Sequence, residues 1–178
     1  LLDPPTVDVS ARCIGMLAQL GYRLESEPIR RGVEFIKSEQ EDNGSWFGRW
    51  GTNYVYGTWS ALSALNAVGE DMQAHYIRKA VEWLKSRQRF DGGWGEDGAS
   101  YWDNQKDFCK ASTPSQTSWA LLGLMATGDV DDDSVMRGVE NFSFNLSNSS
   151  FITLLIFDSS ERIASKSAII KDSSCILS

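Results

Sequence analysis

The sequence has few residues of the kinds that bind metals or form disulfides. It contains one histidine, His75, and three cysteines that lie far apart, Cys13, Cys109 and Cys175. The cysteines form no CxxC pair and their number is odd, which favours free thiols in a reducing compartment over a disulfide framework. Structural zinc sites combine four Cys or His ligands at short spacings. We therefore expect no metal site and no cofactor.

Basic clusters and long apolar runs are also missing. The net charge is −7 at pH 7, and no basic strip with interleaved aromatics occurs, so no nucleic acid is expected as a partner. The longest apolar patch, residues 151–157, is much shorter than the roughly 18 residues that a membrane-spanning helix needs. The chain opens Leu-Leu-Asp-Pro-Pro, and no signal peptide is visible there.

A repeat of 48 residues runs through the first 142 residues of the chain. Residues 31–40, RGVEFIKSEQ, are followed by a Gly-Ser-Trp that ends at Trp46. The same pattern returns as residues 79–88, KAVEWLKSRQ, followed by a Gly-Gly-Trp that ends at Trp94. A third copy begins at Arg137. A fixed period of this length is typical of repeat architectures.

Short apolar segments that end in glycine lie between these copies. They span residues 11–21, 61–69 and 120–128, and we expect each to be a small helix closed by its glycine in the left-handed conformation. Residues 31–40 and 79–88 have one apolar and one charged face, which predicts amphipathic helices. Alternation of apolar and amphipathic helices indicates an all-α fold, either an α/α toroid or a solenoid built from helix pairs.

The last part of the chain departs from this pattern. Residues 143–178 are rich in serine and contain no glycine, proline or tryptophan. We therefore predict two regions, a helical-repeat domain over residues 1–142 and a divergent, poorly ordered tail over residues 143–178. The alternative is a short docking helix around residues 151–157.

The repeated Gln and Gly-x-Trp elements resemble the QW motif of triterpene cyclases. Three further stretches, residues 44–58, 91–97 and 112–121, resemble the squalene–hopene cyclases of the prokaryotic type. The resemblance covers residues 1–142 and implies a partial α/α toroid (α6–α6 barrel) with a divergent tail behind it. It also implies that four QW residues act as structural braces between repeats: Gln40, Trp46, Gln88 and Trp94.

The resemblance indicates candidate site residues near the start of the chain and in a Gly-rich loop that enters an inner helix. Asp8 and Arg12 match a cyclase segment that contacts the proton-donating Asp, so they are expected to be catalytic accessories. Spacing alone also permits an i, i+4 ion pair at a helix N-terminus. Trp50 and Tyr56 match positions that line the substrate cavity, where aromatic faces stabilise carbocations. For Tyr54 core packing and a site role stay open.

Two features of the charged residues qualify this picture. Arg12 stands where some relatives have histidine, and a guanidinium cannot pass on a proton as an imidazole can. Residues 129–132 read Asp-Val-Asp-Asp, which matches the DxDD pattern of the family's catalytic acid. They follow Gly128 in a connector between helices, so we expect a solvated acidic loop instead. The resemblance places the true acid upstream of Pro4, so we expect a C-terminal fragment that is inactive alone.

The implied parent enzyme is a type II triterpene cyclase, an isomerase that protonates squalene or a related polyprene. It would direct polycyclisation to hopene or hopanol-type products without metal or diphosphate chemistry. The resemblance further implies a peripheral, monotopic protein on the cytoplasmic side of a membrane leaflet, and a homodimer. One rival is a zinc-dependent prenyltransferase subunit, which the lone His75 argues against. The others are a non-catalytic or degenerate toroid and a different polyprene cyclase of the same family.

Overall fold

A computed structural model of the chain describes residues 4–102 and 111–147. Over these ranges the secondary structure is helical, with no strand. Contacts divide the chain into one unit of residues 1–142 and another of residues 143–178. The predicted Ser-rich tail, with the alternative docking helix, lies outside the described residues beyond position 147.

The described residues contain six α-helices and one 3₁₀ turn. In chain order they are α1 (Val7–Gln19), α2 (Glu27–Ser38), α3 (Tyr54–Val68), α4 (His75–Ser86), the 3₁₀ turn Gly98–Tyr101, α5 (Pro114–Ala126) and α6 (Asp133–Ser147). The odd-numbered helices are the predicted apolar ones, and α2 and α4 are amphipathic, each with a basic residue in its last turn. In the described part of the chain no helix combines the length and the apolar character needed to cross a bilayer.

The three apolar helices, here called the inner helices, form a row. The central one, α3, contacts α1 on one side and α5 on the other. The outer helix α2 packs against α1 and α3, and α4 packs against α3 and α5. Because it has neighbours on all these sides, α3 is buried over most of its circumference, with Leu62 and Leu65 fully buried. Burial of one such leucine contributes about 1.5–3 kcal/mol.

Each inner helix ends as the glycine pattern predicts. Gly69 directly follows α3 with φ of 85°, and its N–H donates to the Asn66 carbonyl. Gly21 and Gly128 follow α1 and α5 with φ of 93° and 86°. This left-handed conformation is unfavourable for residues that carry a Cβ. The predicted glycine stops are therefore confirmed.

The starts of the inner helices were predicted too late. The apolar segments begin at residues 61 and 120, whereas α3 begins at Tyr54 and α5 at Pro114. Tyr54 and Tyr56 therefore lie in the first turn of a helix and not in a loop. The start of α5 has a local cap, since the Thr113 hydroxyl accepts the N–H of Gln116. The start of α3 has no such local cap, and the residue that replaces it lies far along the chain.

Candidate active site at the start of the inner helices

The two QW tryptophans occupy equivalent, fully buried positions. The indole N–H of Trp46 donates to the carbonyl oxygen of Ile36 at 2.7 Å, and its backbone N–H donates to the Thr58 hydroxyl at 3.0 Å. Trp94 makes the same two kinds of hydrogen bond one repeat later, at the same distances. Each tryptophan therefore connects the end of an outer helix to the start of the next inner helix.

The two QW glutamines connect consecutive outer helices. The side-chain amide of Gln40 donates to the carbonyl oxygens of Gly44 and Tyr76, both at 2.8 Å. Gln88 makes the equivalent pair of bonds, and its longer-range partner is the carbonyl oxygen of Ser134 in α6, at 2.7 Å. The carbonyl oxygens of Tyr76 and Ser134 lie in the first turns of α4 and α6, so each glutamine bridges its own turn to the next outer helix.

Asp8 lies in the first turn of α1 and is fully buried. Its Oδ2 accepts the backbone N–H of Trp50 at 2.9 Å, a contact across 42 residues of sequence. Its Oδ1 is buried and has no hydrogen-bond partner among the described residues. In the same part of the chain no ion pair joins Asp8 to Arg12, so their i, i+4 spacing does not produce the local ion pair that spacing permits. Asp8 instead fixes the loop before α3.

Arg12 is directed toward aromatic side chains of α3. Its Nη2 lies 3.4 Å from the hydroxyl oxygen of Tyr56 and donates to it. The guanidinium carbon lies 5.8 Å from the centroid of the Tyr56 ring and 5.3 Å from that of Trp59. Cation–π contacts of this kind are worth about 0.5–1 kcal/mol at an exposed site. The structure thus brings two predicted site residues, Arg12 and Tyr56, into contact.

Two tryptophans that the sequence analysis did not single out complete this aromatic cluster. Trp59 of α3 and Trp119 of α5 stack with their planes 6° apart and their centroids 5.8 Å apart. Trp119 also meets the Tyr56 ring edge-on at 5.0 Å. Arg12 and Trp59 line an open groove of about 360 Å³ between α1 and α3. The equivalent positions of Trp59 and Trp119, each the sixth residue of an inner helix, were the available sequence signal.

Trp50 is in a different environment from Tyr56. Its side chain is 62% exposed and lies next to the Arg49 guanidinium, 5.7 Å away. Tyr56 is buried, and the glycines of the loop make room for its ring. A Cβ on Gly51 would lie 2.4 Å from the Tyr56 ring, which is an impossible contact. The loop must therefore be glycine-rich to wrap Tyr56 while Asp8 holds the Trp50 backbone.

Glu96 is a third residue that the sequence analysis missed. Its Oε2 accepts the backbone N–H groups of Asn53 at 2.7 Å and Val55 at 2.9 Å, at the start of α3. Burial raises the pKa of Glu96, whereas the backbone donors and the positive charge of Arg87 act in the opposite direction. Its backbone is held by Gln116 of α5, whose amide donates to the Glu96 carbonyl at 2.8 Å.

The Asp-Val-Asp-Asp connector binds helix α4. Asp129 forms a two-pronged ion pair with Arg78, at 2.7 and 2.8 Å, and Asp132 accepts from Lys85 at 2.7 Å. The Asp129 and Asp132 side chains are 16% and 28% exposed, so the prediction of a solvated loop is wrong for these two residues. The hydrogen bond from Arg78 lowers the pKa of Asp129, and that from Lys85 lowers the pKa of Asp132. Both carboxylates are therefore held in ion pairs with α4.

Comparison with known proteins gives this arrangement a family. The sequence model of the squalene-hopene cyclase C-terminal domain matches residues 1–150. The chain belongs to the squalene-hopene cyclase family. The match continues eight residues past Phe142, where the sequence analysis ended the resemblance. In fold, the chain is similar to the ent-copalyl diphosphate synthase from Streptomyces platensis, with a TM-score of 0.61 at 22% identity, over 84% of this chain and 28% of that one. The fold is part of an α/α toroid, as predicted.

Individual relatives agree with the family assignment. The chain is 62% identical over 139 residues to a squalene-hopene cyclase from Schizosaccharomyces japonicus, covering 78% of this chain and 21% of that protein. It is 58% identical over 138 residues to the squalene–hopene cyclase of Alicyclobacillus acidocaldarius, covering 78% and 22%. A sporulenol synthase from Bacillus subtilis is 45% identical over 149 residues, covering 83% and 24%. The chain thus spans about a fifth of the length of these relatives.

Proposed function

We propose that this chain forms the acid-supporting part of a type II triterpene cyclase. The enzyme protonates squalene or a related linear polyprene and directs its polycyclisation to hopene or hopanol-type products. The observation that carries the proposal is the double contact at the start of the inner helices. There Asp8 accepts the N–H of Trp50, and Arg12 contacts Tyr56, in a chain of the squalene-hopene cyclase family.

Asp8 and Arg12 have complementary roles in this proposal. The free Oδ1 of Asp8 can accept a hydrogen bond from the proton-donating acid, which the family resemblance places before Pro4. Arg12 contributes a permanent positive charge, which favours the ionised form of a nearby carboxyl and so strengthens it as an acid. In this arrangement Asp8 holds the protonated donor in position, and Arg12 stabilises the carboxylate that remains after the proton is transferred.

The aromatic residues serve the positively charged intermediates. The cluster of Tyr56, Trp59 and Trp119 presents π faces beside Arg12. Trp50 adds an exposed ring in the loop that Asp8 holds. Each face stabilises a nearby carbocation by about 0.5–2 kcal/mol. Bulky aromatic side chains also keep water away from the cation, which water would quench. The proposal thus assigns substrate binding to Trp50 and Tyr56 and adds Trp59 and Trp119 to them.

The QW residues support the site without touching the substrate in this proposal. Gln40, Gln88, Trp46 and Trp94 bind backbone groups of neighbouring helices. We assign them the role of braces that keep the inner helices in register while a strongly exergonic reaction proceeds. Because the substrate is carried in lipid, we also propose peripheral attachment to the cytoplasmic side of one membrane leaflet. The homodimer stays a prediction from the family resemblance.

The proposal is tested with a hybrid cyclase. Residues 1–142 of this chain replace the matching segment of the Alicyclobacillus acidocaldarius squalene–hopene cyclase, to which they are similar. We expect the hybrid cyclase to convert squalene to pentacyclic products, measured by gas chromatography with mass spectrometry. The 178-residue chain alone, under the same conditions, is expected to convert none. A hybrid that melts cooperatively but leaves squalene unchanged would contradict the proposal.

A further inference from the structure

The two repeats differ at one position that the repeat pattern equates. Gly48 lies two residues after Trp46, and the corresponding position after Trp94 is Glu96. A glycine in one copy and a carboxylate in the other indicate that this side chain is not needed for the repeat itself. The structure shows where the extra carboxylate goes, because it reaches back to the inner helix of the preceding repeat.

Helix α3 lacks the residues that usually satisfy a helix N-terminus. Its N-cap residue Asn53 makes no side-chain capping bond, and its first turn contains no acidic residue. The first N–H groups of a helix have no partner within the helix. Glu96 supplies that partner, since one carboxylate oxygen accepts both the Asn53 and the Val55 N–H. A carboxylate at this end also interacts favourably with the helix dipole.

Gln116 holds Glu96 in place through its backbone. The Gln116 amide nitrogen donates to the carbonyl oxygens of Glu96 at 2.8 Å and Thr52 at 3.2 Å, and its Oε1 accepts the Glu96 N–H. Gln116 is buried and lies in the first turn of α5. It therefore joins α5, the loop of Glu96 and the residue just before α3 in one hydrogen-bond network.

In the first repeat the loop and the inner helix meet without such a pair of side chains. The position equivalent to Gln116 is Gly57, one residue before the threonine that binds the QW tryptophan in each repeat. A Cβ on Gly57 would lie 2.2 Å from the Trp46 carbonyl oxygen, so the backbones meet directly there. The Glu96–Gln116 pair is thus a feature of the second repeat alone, and its carboxylate is directed at α3.

We propose that Glu96 is a positioning residue that caps α3 from the next repeat and thereby sets the placement of Tyr56 and Trp50. Val55, whose N–H it binds, directly precedes Tyr56, the residue that contacts Arg12. Asn53 is three residues from Trp50, whose N–H is held by Asp8. The carboxylate therefore fixes the chain between the two contacts that define the candidate site. The capping is independent of the proposed function, whereas the catalytic consequence rests on it.

Amide hydrogen exchange of the full 178-residue chain tests the capping. We expect Glu96→Gln to speed exchange at Asn53 and Val55 by about tenfold or more, because a charged acceptor is lost. The matched control is Asp97→Asn, which removes the same charge from the adjacent residue, whose own carboxylate accepts the Ala99 N–H. It should leave both amides unchanged. Equal protection of both amides in the wild type and the Glu96→Gln variant would overturn the capping.

A measurement on the wild-type chain covers the case in which Glu96→Gln does not fold. Both amides bind the same carboxylate oxygen of Glu96. The amide chemical shifts of Asn53 and Val55 should therefore titrate together, and burial raises the pKa of Glu96. Their shared midpoint should lie above the ordinary value of 4.5 for a glutamate. Arg87, the residue directly after α4, is the charged group that acts on Glu96, and its positive charge opposes this rise. Two amides that do not respond to pH in this range would also overturn the capping.

The hybrid cyclase tests the positioning role separately. Glu96→Gln should lower kcat by about tenfold, with less effect on KM, because it displaces the site without removing substrate contacts. At low pH the rate should fall with the same midpoint as the titration of the Val55 amide, because Glu96 gains its proton there. This fall should be absent in Glu96→Gln. A Glu96→Gln rate equal to that of Asp97→Asn would overturn the positioning role. A wild-type hybrid without activity would instead count against the proposed function, and the exchange result would still decide the capping.

Discussion

Three groups of acidic side chains have different environments in this protein, and these environments separate their roles. Asp8 is fully buried, with one oxygen bound to a backbone N–H and the other free within the described residues. Glu96 binds two backbone N–H groups at a helix start. Asp129 and Asp132 are paired with cations of α4. Only Asp8 therefore combines burial with an oxygen that is available to a further partner.

The ion pair between Arg78 and Asp129 gives a prediction for stability. We expect Asp129→Asn to lower the free energy of unfolding by about 1–2 kcal/mol at neutral pH, since a partly buried, two-pronged pair is lost. The lowered pKa of Asp129 means that this stabilisation is present above the unfolded pKa and is lost as the pH falls through the folded pKa. The difference from the wild type should therefore narrow below about pH 4.

Urea unfolding at several pH values measures this effect. The matched control is Asp131→Asn, because Asp131 belongs to the same connector but is exposed. Its substitution should change stability by less than about 0.5 kcal/mol. Equal losses for both variants would mean that net charge, and not the pair with Arg78, stabilises the connector.

The site was partly accessible from the sequence. The resemblance supplied Asp8, Arg12, Trp50 and Tyr56, and the structure brings them together in two pairs. No local pattern could show those pairs, because each joins residues more than 40 positions apart. Glu96 was not predicted, because the 48-residue repeat aligns it with a glycine. The roles of all these residues in catalysis stay predictions.

At the level of helices, the sequence predictions agree best with the structure where a helix boundary depends on residues close to it in sequence. The glycine stops of the inner helices depend on the backbone freedom of one residue, so they were predictable. The start of α3 depends on the long-range cap from Glu96, so it was not predictable from the local sequence. The aromatic, glycine-containing sequence from Tyr54 to Gly57 is typical of a loop. It becomes helical because Glu96 binds its N–H groups and Gly57 leaves room for the neighbouring loop.

Two glycines within inner helices give opposite predictions for the same substitution. A Cβ on Gly15 of α1 would meet no atom within 4 Å. Gly15→Ala should therefore stabilise the chain by about 0.5–1 kcal/mol, since alanine is the better helix former. Gly57→Ala would place its Cβ 2.2 Å from a carbonyl oxygen and should destabilise by about 1–3 kcal/mol. Thermal and urea unfolding of both variants decide this, and a stabilising Gly57→Ala would contradict the packing of the loop on α3.

The QW tryptophans give a second prediction at this scale. Trp94 is fully buried and holds the Leu84 carbonyl oxygen. We expect Trp94→Ala to lower the free energy of unfolding by about 3–5 kcal/mol. The control is Phe90→Ala, because Phe90 is 95% exposed and should matter by less than about 0.5 kcal/mol. In the hybrid cyclase, a Trp94→Ala variant with normal melting and altered products would show that Trp94 is not a brace.

At the scale of the whole molecule, the row of inner helices determines where the candidate site forms. Among the described helices the row ends at α1, where Val9, Met16 and the adjoining Leu20 are exposed although the helix belongs to the apolar set. The repeat period predicted this layering, because it alternates apolar and amphipathic segments. It could not predict that the starts of three inner helices gather Arg12, Tyr56, Trp59 and Trp119 in one cluster. That cluster depends on side-chain directions that a 48-residue period does not specify.

The central claim is that Asp8 supports proton donation and does not merely hold the loop before α3. Its most direct test is the turnover of the hybrid cyclase carrying Asp8→Asn, measured together with its melting temperature. We expect turnover to fall by about tenfold or more, because the donor loses the charged acceptor that positions it, while the melting temperature changes little. Asp129→Asn in the same hybrid should retain turnover. Unchanged turnover in Asp8→Asn, or a loss that only follows a fall in melting temperature, would contradict the claim.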